Sequence, residues 1–191
     1  GVNSPIQNFQ QLITQGRSKT SKLSYATSGN GSINHLLSES LKVEAGIDMV
    51  HVPYKAISAA MTDVISGNID NAFGAVPSVI QLIRGGKLKA IAVSSSKRNS
   101  SLPDVPSISE LGYPNLELEG WNGVFAPAKT PKDIVDRLNR EIVAAVRNPE
   151  VSKRLADLGA EAVGSTPAEQ DAILKRQMDQ FRAVIREMKL E

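Results

Sequence analysis

Apolar positions follow two alternating rhythms up to about residue 93 and a single helical one after residue 131. Residues 23–27 (LSYAT) form a short apolar run of strand length that ends at a cluster of Ser, Gly and Asn. Over residues 33–45 the spacing becomes helical: Ile33, Leu36, Leu37 and Leu41 fall on one face, interrupted by Ser40, and Gly46 supplies a stop. A second strand is expected over 48–52 (DMVHV), closed by Pro53, which has no N–H for a ladder. Ile57, Ala60, Met61, Val64 and Ile65 make the next helical face, ended by Gly67. A third strand is expected over 69–75 (IDNAFGA), then a helix with Pro77 in its first turn that breaks at Gly85 and Gly86. Residues 88–93 (LKAIAV) read as a fourth strand, apolar enough to be buried on both faces. Short strands alternating with helices predict an α/β domain with a parallel sheet.

Further along, residues 95–117 are rich in Ser, Pro and Asn and read as a surface loop with one short helix, and 118–126 as a strand crossing between domains. From Pro131 the helical period is nearly alone. Ile134, Leu138, Ile142 and Val146 line one face, with Asp133 in the first turn. Residues 151–158 form a short helix closed by Gly159, and 160–163 suit one short strand. Thr166 and Pro167 fit the N-cap and first position of a last helix striped by Leu174, Met178, Phe181, Ile185 and Met188. Residues 22–122 thus make a complete α/β domain, whereas 1–21 and 123–191 are mostly amphipathic helices without a sheet to pack on. That imbalance predicts a fragment, or a domain completed by another chain, with self-association through the C-terminal helices as one way to cover them.

Composition changes this picture only by exclusion. Apolar residues make up 41% and charged residues 22%, which fits a soluble globular protein. The net charge of +2 leaves no broad basic field, so nucleic acid is not an expected partner. Without cysteine there is no disulfide, thiolate metal site or thiol nucleophile. Two histidines sixteen residues apart, with no carboxylate at ligand spacing, do not make a metal site, and no cofactor is expected. No run reaches the roughly 18 apolar residues of a membrane span. A secretory signal is absent, as it would be from an exported chain after processing.

The sharpest local feature is the loop SGNGS, Ser28 to Ser32, between a strand and a helix. Gly29 and Gly31 allow positive φ and close approach of a ligand, and Ser32 can cap the helix. Free N–H groups and the dipole at a helix start favour an anion, and the carboxyl end of a parallel strand is where open α/β sheets bind ligands. The spacing matches neither the dinucleotide fingerprint nor the P-loop. A tight turn with a helix cap accounts for the same residues. His35 falls near 200° from Ile33 on the helical wheel, opposite the apolar stripe, and so is expected to be exposed or to face a cleft. His51, between Val50 and Val52, reads as structural. Asp70 either caps a turn or lines a pocket, and the Tyr54 hydroxyl is placed to reach a ligand. Trp121, between glycines, is either a packing anchor at a domain crossover or an apolar wall of a cleft. There is no G-x-S-x-G elbow, paired-carboxylate constellation or supported S-x-x-K motif, which points to binding and away from catalysis. Two competing classes are the sensor domain of a regulator and an α/β enzyme acting on a small acid.

Read in order, LSYATSGNGSINHL (23–36), VHVPYK (50–55), GNIDNAF (67–73), GKLKAIAVSSSKR (86–98), LPDVPSISELG (102–112), WNGVFAPAKTP (121–131) and LADLGAEAVGSTP (155–167) resemble the Bug, or TctC-like, family of periplasmic receptors of tripartite tricarboxylate transporters. The resemblance implies a periplasmic-binding-protein type II-like α/β fold. Two domains would close about a hinge near 120–126 on a small organic acid or amino acid and present it to membrane transporter subunits. It implies Ser28, Gly29, Gly31, Ser32, His35, Tyr54, Asp70 and Ala75 as ligand-site positions and a periplasmic location. It also implies that 22–122 is the second domain, and that 1–21 and 123–191 belong to a first domain whose earlier part precedes this chain. Ala56 stands where the family usually has glycine, and Gly74 where a polar or acidic residue is common; both departures bear on which acid is bound.

Overall fold

The computed structural model describes residues 1–18, 20, 22–118 and 120–187. Its centre is a parallel sheet in the order β2-β1-β3. Strand β1 (Leu23–Thr27) pairs with β2 (Met49–Pro53) from Leu23 opposite Met49 to Thr27 opposite Pro53. On its other side it pairs with β3 (Asn71–Ala72), Tyr25 opposite Asn71.

Side chains on β1 alternate between two cores, as the pleat requires. Leu23, Tyr25 and Met49 face one side, where α1 (Phe9–Gly16) and α2 (Ile33–Ala45) supply Phe9, Leu12, Ile13, Leu41 and Ala45. Ala26, with Val52 and Ala72, faces the other, where α3 (Ile57–Ser66) and α4 (Val76–Arg84) supply Ala60, Met61, Val64 and Val79. The result is three layers, helices on both faces of a parallel sheet. Each fully buried Leu or Ile in these layers contributes roughly 1.5–3 kcal/mol.

Residues 1–21 are expected to belong with the helical remainder. Ile6 and α1 pack into the core beneath β1. Asn8 caps α1 by accepting from the Gln11 N–H at 2.9 Å. Gly16 lets the helix end meet the chain entering β2: a Cβ there would lie 2.8 Å from that of Ile47, and the Gly16 carbonyl accepts from the Asp48 N–H at 2.9 Å.

Several expected strands are not strands. Residues 88–93 carry a single bridge, Val93 to Ser107, and β3 is only two residues long. The segment lacks a ladder neighbour: Leu88 N–H turns back to the Leu82 carbonyl at 3.2 Å and Val93 N–H goes to the Pro106 carbonyl at 3.0 Å. It is nonetheless apolar towards both layers, with Leu88 under α3 and α4, and Ile91 and Ala92 against the α1–α2 core. Among the described residues of 118–126 and 160–163 there is no strand either. Val124 and Phe125 are 76% and 64% exposed, with no neighbouring strand to pair their backbone. The expected short helix in 95–117 is a 3₁₀ turn at Pro114–Leu116.

Helices α5 (Lys132–Arg147), α6 (Pro149–Asp157) and α7 (Pro167–Glu187) form the remainder. Neither α5 nor α6 buries a residue fully. Of the expected α5 stripe, Ile134 and Leu138 are exposed. Helix α7 is tied down at one end, where Phe181 packs on Leu36, Leu37 and Leu118. Thr166 does cap it, and the cap is reciprocal: the Glu169 N–H reaches Thr166 Oγ1 at 3.3 Å while Glu169 accepts from the Thr166 N–H at 2.8 Å. Met188, expected in the stripe, lies outside the described residues.

Candidate functional site

Strands β1, β2 and β3 are parallel, so all three end at one edge of the sheet, and α2, α3 and α4 all begin there. The chain leaves β1 for α2 on one face and leaves β3 for α4 on the other. Between β1 and β3 the connections therefore part, and this switch point is where open α/β sheets leave a crevice for ligands. The loop 28–32 borders one side of it and Ala75, exposed at the N-cap of α4, borders the other.

The loop is built by its own hydrogen bonds. Gly29 (φ 118°) and Gly31 (φ 71°) hold the left-handed turns that other residues resist. Ser32 N–H donates to the Gly29 carbonyl at 3.2 Å, and Ser32 Oγ caps α2 by accepting from the His35 N–H at 3.4 Å. Gly29 N–H donates to Thr27 Oγ1 at 3.2 Å and Gly31 N–H to His35 Nδ1 at 3.1 Å. The N–H groups of Ser28, Asn30, Ile33 and Asn34 find no partner among the described residues. They form a cluster of unspent donors at a helix start, suited to an anion.

Beneath the loop lies a stack of rings. His35 and His51 are parallel with centroids 3.9 Å apart, and Tyr25 lies 5.1 Å beyond His51. Thr27 Oγ1 meets His51 Nε2 at 2.7 Å, while the Tyr25 hydroxyl donates to Glu39 and Lys42 Nζ donates to Glu39 at 2.9 Å. Burial depresses both imidazoles below the ordinary histidine value, and at His51 the neighbouring His35 adds to the effect. Burial and the bond to Glu39 push the Tyr25 phenol well up. For Glu39 burial works upward, but the bonds from Tyr25 and Lys42 and the Lys42 charge outweigh it and hold the carboxyl low. The two imidazoles, both lowered, thus stack beside a carboxylate already bonded to Tyr25 and Lys42.

A family model described as the tripartite tricarboxylate transporter family receptor, TctC, matches residues 1–190. The chain belongs to this family. A UPF0065 protein of Pseudomonas sp. (strain P51) is 35% identical over 99% of the chain, and the chain spans 56% of it. Among solved structures, a periplasmic transporter superposes with a TM-score of 0.88 at 34% identity, over all of this chain and 63% of that one. A protein of R. palustris, solved with adipate, superposes with a TM-score of 0.85 at 28% identity, over 95% of this chain and 61% of that one. The chain therefore spans little more than half of the curated relative and under two thirds of these structures. The type II-like α/β fold expected from the sequence is the fold of these binding proteins.

Within this TctC-family chain, Ser28, Gly29, Gly31, Ser32 and Ala75 lie at the carboxyl edge, and the side chains of the three other expected positions are placed differently. His35 is buried under the loop, not exposed. The helical wheel misplaces it because its reference, Ile33, is itself exposed, and the buried face of α2 runs through His35, Ser38, Leu41 and Ala45. Tyr54 keeps its backbone at the edge, with its N–H on the Thr27 carbonyl at 3.0 Å, but its hydroxyl is bonded to Asp63 of α3. Asp70 lies at the opposite end of the sheet, where its carboxylate accepts from the Ser24 N–H and hydroxyl, each at 2.7 Å. Of the two residues that depart from the family pattern, Gly74 has a packing cause: a Cβ would come within 2.7 Å of Val79 Cγ1. Thr27, His51 and Glu39 are not among the expected site positions. Their signal is the polar row His35, Ser38, Glu39 and Lys42 at helical spacing, and the register that sets His51 opposite Tyr25.

Proposed function

We propose that this chain forms the greater part of an extracytoplasmic receptor that captures a small organic acid, or an amino acid through its carboxylate, for a tripartite tricarboxylate-type transporter. The observation that carries it is the β1–β3 switch point, bordered by the starts of α2 and α4, with the unspent N–H groups of the SGNGS loop on its α2 side. An adipate-bound relative of the same fold supports a carboxylate as the ligand. The protein acts by binding: the Thr27 hydroxyl that meets His51 Nε2 is fully buried beneath the loop.

In this reading residues 22–122, with α1, make one lobe. The exposed faces of α5 and α6 belong to the second lobe and are covered by the part of the receptor that corresponds to the unspanned portion of the relatives. Ligand binds both lobes in the closed state and so favours closure, which membrane transporter subunits recognise. The lobes meet the ligand in the periplasm.

A thermal-shift screen tests the reading. Dicarboxylates, hydroxy acids and amino acids are compared with sugars and nucleotides. Stabilisation follows concentration, about 2.7 kcal/mol at a hundred times the dissociation constant. A response to sugars or nucleotides with none to any acid overturns the proposal.

A further inference from the structure

The glycine loop is held from below. Two of its N–H groups point inward, Gly29's to Thr27 Oγ1 and Gly31's to His35 Nδ1. A ring nitrogen that accepts carries no proton, so His35 must be neutral, with its hydrogen on Nε2. Thr27 in turn meets His51 Nε2, and His51 stacks on His35. One inward bond therefore ends on the stacked imidazole pair and the other reaches it through Thr27. With those two N–H groups turned in, the donors left at the loop surface are those of Ser28, Asn30, Ile33 and Asn34.

On the receptor reading above, we propose that Thr27, His35 and His51 are positioning residues of the anion site: the uncharged pair holds the Gly29 and Gly31 N–H groups inward, which aims the remaining N–H groups at the carboxylate, and protonation of His35 releases the loop and with it the ligand. A proton on Nδ1 would face the Gly31 N–H, donor against donor, and break that bond. Of the other titratable groups around the stack, the Glu39 carboxylate favours a charged ring, but burial outweighs it. Tyr25, from β1, keeps its proton on the bond to Glu39; Glu39, from α2, is committed to Tyr25 and Lys42; Lys42, also on α2, repels a second positive charge. His51, from β2, adds its own repulsion once either ring is charged. Burial depresses the folded-state value of both histidines, so the intact loop is present above the ordinary imidazole pKa of about 6.5 and is lost as pH falls through the lower folded value.

The test compares wild type, His35→Ala and His35→Asn. In His35→Asn the side-chain amide oxygen occupies the place of Nδ1, accepts as it does and does not titrate. Amide hydrogen exchange needs no ligand: Gly31 exchanges roughly tenfold faster in His35→Ala, while His35→Asn and the amides of the α2 interior stay as in wild type. Adipate is the binding probe. Its dissociation constant rises roughly tenfold in His35→Ala at neutral pH, the affinity equivalent of about one hydrogen bond, and its loss on acidification in wild type is absent from His35→Asn. Should His35→Ala fail to fold, the Gly31 amide in wild type still decides, because its shift must titrate together with the His35 imidazole. Unchanged Gly31 exchange, an Nδ1-protonated His35 at neutral pH, or equal damage from Ala and Asn overturns the positioning role. If wild type binds neither adipate nor any other acid, the receptor reading fails, and Gly31 exchange judges the positioning role alone.

Discussion

Helices α2 and α5 are similar in length, 13 and 16 residues, and both carry an apolar stripe, yet their fates differ. Helix α2 buries Leu36, Leu37, Leu41 and Ala45, together with His35 and Ser38, between the sheet and α7. Helix α5 buries nothing fully. An amphipathic stripe specifies a face, not what covers it. The parallel strands next to α2 in sequence supply its partner through short crossovers. Nothing of that kind lies near α5, whose neighbours in the chain are an exposed loop and another helix.

The widest separation between the two regions is expected in their cores. Leu41→Ala, at a site 1% exposed, costs about 2–5 kcal/mol in urea unfolding. Leu138→Ala, at a site 47% exposed, stays within about 0.5 kcal/mol. Similar costs for both would break the comparison and show α5 covered in solution. A smaller effect is expected from Gly74→Ala. The added methyl lands on Val79 Cγ1 and must push α4 from β3, at about 1–3 kcal/mol. Val79→Ala in the same chain makes room for it, so the two substitutions couple, and additive costs would show that α4 moves freely.

Much of the α/β half can be read from the sequence because its signals are local. Gly46 and Gly67 stop α2 and α3 in the left-handed conformation, as their places after the stripes require. Strands β1 and β2 lie within a residue of their expected bounds. Strand β3 and residues 88–93 are shorter on strand than their composition suggests: the apolar character is real, but a strand exists only where a neighbour satisfies its backbone, and that is not written in the segment itself. The site divides the same way. The loop is legible from its glycines and its cap, while His35 is misplaced by the choice of wheel origin and Thr27 and His51 become visible only through register. Tyr54 and Asp70 show the limit most plainly, since each finds a partner, Asp63 or Ser24, that spacing alone does not assign.

The smallest expected effect probes how the helical region is attached. Thr166→Ala removes the Thr166 hydroxyl from the cap on α7, which is worth about 1 kcal/mol. This helix is fixed at the far end, where Phe181 is buried and Gln180 donates to the Glu117 carbonyl at 2.9 Å. Residues 167–169 at its start, in contrast, are exposed. The loss should therefore appear as local opening: faster amide exchange in the first turns of α7, with the exchange of β1 and the midpoint of the main unfolding transition nearly unchanged. Thr166→Ser keeps the hydroxyl and should restore protection. If Thr166→Ala instead lowers the main transition by the full amount, α7 unfolds together with the sheet, and the two regions are one cooperative unit despite their unequal burial.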